Sequence, residues 1–250
     1  MTILTPDWPA LPRQVRAIST TRVGGISLPP FDDGRSGGGF NLGLHVGDDP
    51  AAVRHHRERL RGMLPAEPAW LTQVHGNIVL DAAKVEGAPQ ADASITDQAG
   101  VVCAILTADC LPVLLCDVSG SVVGAAHAGW RGLAGGVLQN SVTAMRKKGA
   151  GEVLAWLGPA IGPQQFEVGC DVVDAFVESN PLAAAAFTAR PQHKGKYLAD
   201  LYQLARWVLA GQGVLQVAGG THCTVTEHDK FYSFRRSGQT GRMASLIWLA

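Results

Sequence analysis

Three side chains in this sequence combine suitable chemistry with a suitable position: His75, Cys110 and His127. Each stands where an apolar, strand-like stretch gives way to glycine, proline or a polar turn. At such a point a strand presents a side chain to a site rather than to the core. Two imidazoles and one thiolate form a suitable ligand set for zinc, and three protein ligands leave the fourth tetrahedral position open, as in catalytic zinc sites. These residues predict an enzyme.

The same residues admit a second interpretation. A cysteine close to a histidine also serves as an activated nucleophile. Spacing does not decide between the two, because the chain has neither a Cys-x-x-Cys nor a His-Glu-x-x-His motif. Residue chemistry alone therefore leaves a zinc site and a Cys–His nucleophile as equal alternatives. Of the other cysteines, Cys103 and Cys116 lie inside apolar stretches and are expected to pack in the core, and Cys170 is also expected to pack.

The elements that position these residues follow from the hydrophobic pattern. Short β-rich runs separated by turn residues predict strands at residues 101–106, 111–117, 122–127, 153–157, 214–218 and 242–249. An acidic N-cap and a proline begin a helix over residues 51–63, and helical spacing continues at residues 133–148, 171–179 and 198–210. This irregular mixture favours a layered α+β arrangement over a regular βαβ series.

Length and composition narrow the classes of protein. At 250 residues, one domain is as plausible as two. A formal net charge of +0 gives no field that would recruit nucleic acid or a membrane surface, and the longest apolar runs are too short to cross a bilayer. Five cysteines without a framework spacing and an N-terminus without a secretory signal predict reduced thiols in a cytoplasmic protein.

Two glycine-rich segments differ in what they predict. The segment at residues 34–39 matches neither a P-loop nor a dinucleotide fingerprint, so it is interpreted as a mobile surface insertion. The run at residues 129–132 precedes a predicted helix, whose N-terminus would offer free N–H groups to an anion, with Arg131 beside them.

The flanking sequence resembles the laccase-domain family, whose members are also described as YfiH-like or purine nucleoside phosphorylase-like proteins. The resemblance runs over nearly the full length in ordered segments. These segments are Ser19-Thr20-Thr21-Arg22-Val23-Gly24-Gly25-Ile26-Ser27, Phe40-Asn41-Leu42-Gly43, Gln73-Val74-His75-Gly76, Thr107-Ala108-Asp109-Cys110-Leu111-Pro112, His127-Ala128-Gly129-Trp130-Arg131-Gly132, Gly158-Pro159-Ala160-Ile161-Gly162 and Thr240-Gly241-Arg242-Met243-Ala244-Ser245.

The resemblance implies a specific enzyme. It implies that His75, Cys110 and His127 bind a catalytic Zn²⁺ in a single domain over residues 1–250, with a sandwich of mixed β-sheets flanked by helices. The implied activity is phosphorolysis of adenosine, inosine, guanosine and methylthioadenosine, together with deamination of adenosine. The alternative activity is hydrolysis that removes misincorporated L-serine from UDP-MurNAc peptidoglycan precursors. An older description of the family as copper polyphenol oxidases is discounted, because the remaining histidines are scattered and provide no further copper ligands.

The matching segments also suggest a substrate site. Asn41 is a candidate partner for the ribose or base, and Arg22 and Arg131 are candidates for phosphate, with Arg235, Arg236 and Arg242 as further possibilities. Asp109 is placed behind the ligands rather than among them, since adjacent residues on an extended strand face opposite ways. The expected partners are a purine nucleoside and phosphate, with no nucleic acid or membrane, and the protein is expected to be a monomer or weak homodimer.

Overall fold

The computed structural model describes residues 1–9, 11–35 and 37–250. Its strands are β1 (Ile3–Leu4), β2 (Val15–Thr20), β3 (Val23–Gly25), β4 (Gly38–Gly39), β5 (Val79–Asp81), β6 (Ala93–Thr96), β7 (Val102–Thr107), β8 (Leu111–Asp117), β9 (Val123–Ala128), β10 (Val153–Leu157), β11 (Glu167–Gly169), β12 (Phe187–Ala189), β13 (Lys196–Ala199), β14 (Gln216–Gly219) and β15 (Met243–Leu249). Its α-helices are α1 (Pro50–Arg61), α2 (Trp130–Ala134), α3 (Val137–Lys147), α4 (Cys170–Val177), α5 (Leu201–Gly211) and α6 (Phe234–Ser237). Two 3₁₀ segments lie at Ala82–Lys84 and Pro181–Ala186.

Two large sheets form the centre of the fold. The larger has six strands in the order β14-β10-β8-β9-β6-β5, and the other has four in the order β1-β2-β15-β7. In the six-stranded sheet β10 pairs with β14, and β5 with β6, in parallel, while the remaining pairs are antiparallel. The four-stranded sheet is antiparallel throughout. Smaller sheets join β11, β13 and β12, and β3 with β4.

Alternating side chains on the central strands divide the core into layers. On β8, Val113 and Leu115 pack with residues of α3 and α5, whereas Leu114 and Cys116 pack against the four-stranded sheet. The other face of the four-stranded sheet packs against Leu60 of α1. Because successive strand residues point to opposite faces, one apolar run on β8 serves two interfaces. The result is a helix–sheet–sheet–helix sandwich, and the predicted layered α+β fold of mixed sheets flanked by helices is confirmed.

Most predicted elements lie close to their observed bounds. The strands at residues 111–117 and 153–157 have the bounds of β8 and β10. The predicted helix at residues 133–148 is wrong as one element, because α2 ends before Gly135 and α3 begins after Gly136. Gly136 has φ +93°, which a continuous right-handed helix excludes.

The glycine-rich segment at residues 34–39 differs in part from its predicted role. Ser36 lies outside the described residues. On its C-terminal side, Gly38–Gly39 forms β4 and pairs with β3. A Cβ atom on Gly39 would overlap the carbonyl oxygen of Phe31. This end of the segment is therefore part of a packed hairpin and not a loose insertion.

Of the four cysteines outside the candidate site, the sequence predicted a position for three. Cys103 and Cys116 are fully buried, as predicted, and burial raises the pKa of each thiol to about 12. Cys170 was expected to pack, but it is exposed at the start of α4. No helix within the described ranges is long and apolar enough to cross a membrane.

Candidate active site

The three predicted ligands meet at the ends of adjacent strands. His127 lies near the end of β9, and Cys110 immediately precedes β8. The antiparallel register pairs Pro112 with His127 and Leu111 with Ala128, so the residue before β8 lies beside the end of β9. His75 comes from the loop that precedes β5. The fold thus brings together side chains from three segments that are distant in sequence.

The separations of the ligand atoms fit a tetrahedral metal ion. One donor atom from each of His75, Cys110 and His127 lies within 4.8 Å of the others. The Cys110 Sγ atom is 3.7 Å from Nε2 of His75. Zinc bonds of about 2.3 Å to sulfur and about 2.0–2.1 Å to nitrogen, at a tetrahedral angle, imply a separation of about 3.6 Å between these donors. The residues present therefore fit a metal with one coordination position left over.

A buried carboxylate supports two of the ligands. Asp92 is fully buried, and its Oδ1 atom accepts hydrogen bonds from Nδ1 of His127 at 2.8 Å and from the backbone N–H of His75 at 2.9 Å. Its Oδ2 atom accepts from the N–H groups of Val74 at 3.2 Å and Gly76 at 2.7 Å. A carboxylate on Nδ1 orients the ring so that Nε2 is available to a metal. Asp92 thus fixes one ligand ring and the backbone of another.

Further contacts clamp the loop that carries His75. The side-chain amide of Gln73 donates to the carbonyl of Leu106 at 2.7 Å and accepts from its N–H at 2.8 Å, so it pairs with the end of β7 as a strand neighbour would. On the other side, a Cβ atom on Gly129 would lie 2.9 Å from Cys110 Sγ and 3.1 Å from Cδ2 of His75. Glycine at 129 therefore allows the start of α2 to approach the ligands closely.

Backbone strain is concentrated at the site. Among the described residues, the non-glycine residues with positive φ are His75, at 60°, and Asp109, at 94°. Left-handed backbone is costly for such residues and persists where the surroundings enforce it, often at functional sites. For His75 the enforcing contacts come from Asp92. For Asp109 they include a hydrogen bond from the N–H of Ile161 to its carbonyl at 2.9 Å.

Electrostatics favour an ionised cysteine. Burial opposes ionisation of Cys110, but the adjacent imidazoles of His127 and His75 outweigh it and lower the thiol pKa to about 6. Burial likewise opposes protonation of His127, but the Cys110 thiolate and the Asp92 carboxylate outweigh it and raise its pKa to about 9. Burial also acts against ionisation of Asp92, yet hydrogen bonds from His127 and from backbone N–H groups lower its pKa overall. The site is thus prepared to hold a thiolate, which is the form that binds zinc.

In metal-free protein, the Cys110 thiol is expected to titrate near pH 6 rather than near 9. The ion pair between the Cys110 thiolate and protonated His127 stabilises the fold most between their folded-state pKa values of about 6 and 9. Its contribution is lost below about pH 6, where the thiolate takes up a proton, and above about pH 9, where His127 loses its proton. Ultraviolet thiolate absorbance and the rate of alkylation by iodoacetamide would follow the titration. Cys110→Ser is the control, and it should remove the step near 6. A step near the ordinary thiol value that Cys110→Ser removes would contradict the expectation.

Asp109 lies beside the ligands but does not join them. Its Oδ1 atom accepts a hydrogen bond from the Thr224 hydroxyl at 2.5 Å, and its Oδ2 atom accepts from the backbone N–H of Arg235 at 2.6 Å. These contacts tie the turn before Cys110 to the segments around 224 and 235. Asp109 also lines the adjoining cavity, so the structure places it at the site without making it a fourth ligand.

A cavity of about 700 Å³ opens at the cluster of His75, Cys110 and His127, a volume within the usual range for small-molecule sites. All three ligand residues line it. Its walls are largely apolar, and the aromatic side chains lining it are Trp70, Trp130, Phe166 and Phe234. The arginines that line it are Arg57, Arg235 and Arg242, and the imidazole of His45 lies among the lining residues. The arrangement suits a planar, partly polar ligand.

Three residues predicted for the substrate lie outside the cavity lining. Arg22 is buried, and its guanidinium donates to the carbonyls of Asp32 and His228. The side chain of Asn41 is also buried and holds the backbone of Gly43 and Arg242. Arg131 is exposed, with its guanidinium 4.5 Å from the centre of the Trp130 ring. Their contacts support the fold around the site rather than the cavity itself.

Other residues of the site were not predicted. No role was predicted for Asp92, although an acidic residue between two alanines at the start of a strand could have marked it as a candidate site residue. No role was predicted for His45 or Arg57 either, although His45 lies two residues after the matched segment at residues 40–43. Trp70 and Phe166 carry no local signal, because aromatic residues in apolar runs usually belong to the core.

Comparison with known proteins gives the family. Residues 16–250 match the family described as multi-copper polyphenol oxidoreductase laccase. The chain is 52% identical over 253 residues to the purine nucleoside phosphorylase YfiH of Shigella flexneri, covering 99% of this chain and 98% of the relative. It is 53% identical over 248 residues to a purine nucleoside phosphorylase of Pseudomonas aeruginosa, with 98% of each chain covered. These relatives support an enzyme.

Solved structures agree with the sequence comparison. A protein from Neisseria meningitidis aligns with a TM-score of 0.92 at 52% identity, covering 100% of this chain and 99% of that chain. YlmD from Geobacillus stearothermophilus aligns with a TM-score of 0.87 at 33% identity, covering 100% of this chain and 96% of that chain. With the sequence and the fold in agreement over almost the whole length, the chain belongs to the laccase-like YfiH family.

Proposed function

We propose that the protein is a zinc-dependent purine nucleoside phosphorylase that also deaminates adenosine. The observation that carries the proposal is the cluster of His75, Cys110 and His127 in the wall of an aromatic cavity of about 700 Å³. Relatives with 52% and 53% identity over nearly the full length are named purine nucleoside phosphorylases. The proposal places the enzyme in the cytoplasm, with a purine nucleoside and phosphate as its partners.

The donor set favours zinc over magnesium or calcium. A thiolate and two imidazoles are soft or intermediate ligands, whereas those cations prefer oxygen. When bound, zinc would supply a Lewis acid and an activated water in its fourth position. The chain itself contributes the orientation of the ligands. Asp92 holds Nδ1 of His127, so its Nε2 is free to bind, and the low pKa of Cys110 provides the thiolate.

The cavity walls suit a nucleoside. Trp70 and Phe166 are buried in the wall, while Trp130 is half-buried and Phe234 is exposed. Aromatic side chains pack against a planar base through dispersion and offset stacking. We place the base against these rings and the sugar towards the ligand cluster. Phe234 has no polar group, so at this position the contact to the substrate is apolar.

The two proposed reactions break different bonds. In phosphorolysis, a phosphate oxygen forms a bond to the ribose C1′, the bond from C1′ to the purine nitrogen breaks, and the base leaves with its electron pair and takes up a proton. In deamination, water adds at C6 of adenine and the amino group leaves as ammonia. Phosphorolysis needs phosphate and deamination does not, which makes the two activities separable in one assay.

Incubation of zinc-loaded protein with adenosine and phosphate is expected to give adenine and ribose 1-phosphate, together with some inosine. Without phosphate, base release should stop while inosine formation continues, because only the first reaction consumes phosphate. Chromatography of the products measures both. The Cys110→Ala variant, purified in the same way, is the control for contaminating phosphorylases and should be inactive in both reactions.

The competing activity makes a different prediction. A hydrolase of cell-wall precursors would release L-serine from the UDP-sugar peptide with no dependence on phosphate. Serine release with nucleosides untouched at high enzyme concentration would overturn the phosphorylase proposal. That outcome would leave the metal site in place, because both activities use it.

A further inference from the structure

The cavity contains more positive charge than its own carboxylate balances. Arg57, Arg235 and Arg242 line it, together with the imidazole of His45. None of the ion pairs formed between described residues involves Arg57 or Arg242. Asp109 is the carboxylate in the cavity lining, and it accepts hydrogen bonds from Thr224 and from the backbone of Arg235. Burial lowers the pKa of Arg57 and Glu67 lies near enough to act in the opposite direction, but Glu67 forms no ion pair with Arg57 among the described residues. Partly buried guanidinium groups that no carboxylate contacts are unusual and indicate a site for an anion.

Arg57 and Arg242 both lie within electrostatic range of the His45 imidazole, and Arg242 is also within range of Cys110. Partial burial lowers the pKa of His45, and the positive charges of Arg242 and Arg57 lower it further. Burial lowers the pKa of Arg242, and the negative charges of Cys110 and Asp109 act in the opposite direction. Arg242 is therefore within electrostatic range both of His45 and of the Cys110 thiolate. An anion held here would lie next to the proposed metal position.

A short loop fixes both guanidinium-bearing segments. Leu42 donates its N–H to the carbonyl of Arg242 at 3.1 Å and accepts at its own carbonyl from Nε of Arg57 at 2.9 Å. Asn41 accepts the backbone N–H of Arg242 at 2.8 Å. A Cβ atom on Gly43 would lie 2.8 Å from Cγ of Arg242. The start of β15 and helix α1 are thus held together by one loop, so the two side chains are positioned in advance of any ligand.

Both guanidinium groups keep donors that no protein acceptor uses. Within the described residues, the Arg57 guanidinium donates only from Nε, and its Cζ atom lies 4.1 Å from the centre of the Trp70 ring. Arg242 donates only from Nη1, to the carbonyls of Thr240 and Gly241. By contrast, all three guanidinium nitrogens of Arg22 donate to backbone carbonyls. Arg22 is saturated by the fold, whereas Arg57 and Arg242 retain free edges.

We infer that Arg57 and Arg242, with His45 beside them, form a phosphate subsite in the cavity. Two guanidinium groups with free edges match the several acceptor oxygens of a phosphate group, which they bind through charge-assisted hydrogen bonds. The inference rests on the proposed function, for which it supplies the place of the phosphate. The same chemistry would also recognise a phosphoryl group of a nucleotide sugar. This subsite replaces the sequence-based expectation that Arg131 holds phosphate, because Arg131 is exposed and lies outside the cavity lining.

Direct binding measurements test the subsite without relying on turnover. Calorimetric titration of the zinc-loaded protein with inorganic phosphate, in a phosphate-free buffer, is compared with that of Arg57→Gln and Arg242→Gln. Each substitution should weaken binding by roughly tenfold or more, since a hydrogen bond to a charged group contributes that much. The matched control is Arg54→Gln, an exposed arginine on the same helix, which should bind phosphate as wild type does. Where a glutamine variant fails to fold, Arg57→Lys or Arg242→Lys takes its place. Lysine keeps the positive charge but lacks the paired donors of the guanidinium group, so these variants should also bind phosphate more weakly.

A second titration, with UDP, identifies the source of the phosphoryl group. Tighter binding of phosphate than of UDP, lost in both arginine variants, supports inorganic phosphate as the ligand. Tighter binding of UDP, lost in the same variants, supports the subsite but assigns it to a nucleotide sugar and counts against the phosphorylase. Binding of both anions that is unchanged in the folded arginine variants, or no binding by wild type, overturns the subsite. A nucleoside assay would still decide the proposed function in that case.

Discussion

Replacing Cys110, His75 or His127 with alanine is expected to remove most of the bound zinc and nearly all turnover. Loss of a group that merely orients a ligand lowers metal affinity or activity by about 10- to 100-fold, so loss of a ligand itself should exceed that range. Elemental analysis and the nucleoside assay measure the two effects. The control is Cys170→Ala, which removes an exposed thiol outside the cluster and should leave zinc and activity unchanged.

The His75 and Cys110 substitutions should affect stability much less than activity, whereas His127→Ala removes a buried ring from the buried Asp92 carboxylate and should cost more. His75 is exposed and Cys110 is half-buried at the edge of the cavity, so truncation leaves no large void in the core. The layers of the sandwich are held by apolar contacts between sheets and helices and not by the metal. Thermal melts should therefore shift modestly. Wild-type zinc content in all three variants would remove the site, and collapse of the melt with activity surviving per folded molecule would make the metal structural.

How far the sequence could predict this site depends on where each signal lies. Cys110 and His127 could be singled out as candidate ligands because each combines a reactive side chain with the visible end of an apolar strand, whereas His75 lies in a loop before β5. Cys110 precedes β8, and His127 lies near the end of β9. The pairing of those strands in one sheet then brings the two residues together. The family resemblance of the flanking segments favours zinc over a Cys–His nucleophile, a choice that residue chemistry leaves open, and zinc stays a prediction.

The supporting residues could not be predicted in the same way. The role of Asp92 depends on contacts with residues 17 and 35 positions away, and those contacts exist only once the loop at residues 74–76 has folded back. The relation between Arg57 and Arg242 depends on Leu42, whose backbone links them. Backbone amides and carbonyls occur at every residue, so the sequence does not show which of them form such a link.

The limits of the fold prediction have a similar physical origin. Strand β8 could be predicted from its continuous apolar run. The run is continuous because both faces of the strand are buried. The division of the predicted helix at residues 133–148 into α2 and α3 depends on the backbone of Gly136, which adopts φ +93°. Glycine permits that conformation without requiring it, so the sequence alone does not distinguish a break from a tolerated glycine.

Replacing Asp92 with asparagine is expected to weaken zinc binding by roughly 10- to 100-fold. The carboxylate accepts from four N–H groups, those of Val74, His75, Gly76 and the His127 ring. Asparagine offers one carbonyl oxygen, and its NH₂ group would face donors at the other position. Each N–H left without an acceptor costs about 1–3 kcal/mol of the free energy of unfolding. Zinc affinity from chelator competition and urea unfolding of the metal-free protein measure the two effects.

A purely structural role for Asp92 would lower stability without changing the metal site in protein that remains folded. The decisive measurements are therefore made below the unfolding transition of the variant. Nitrogen chemical shifts of the His127 ring in the metal-free protein report its protonation, and loss of the Asp92 carboxylate, which helps to raise the His127 pKa, should lower the pH at which the ring loses its proton. Asp97→Asn is the matched control, because Asp97 is exposed at the end of β6 and pairs with Lys148 at the surface. It should cost at most about 1 kcal/mol and leave zinc affinity unchanged. Wild-type zinc affinity and an unchanged His127 ring in folded Asp92→Asn would show that Asp92 does not position the ligands.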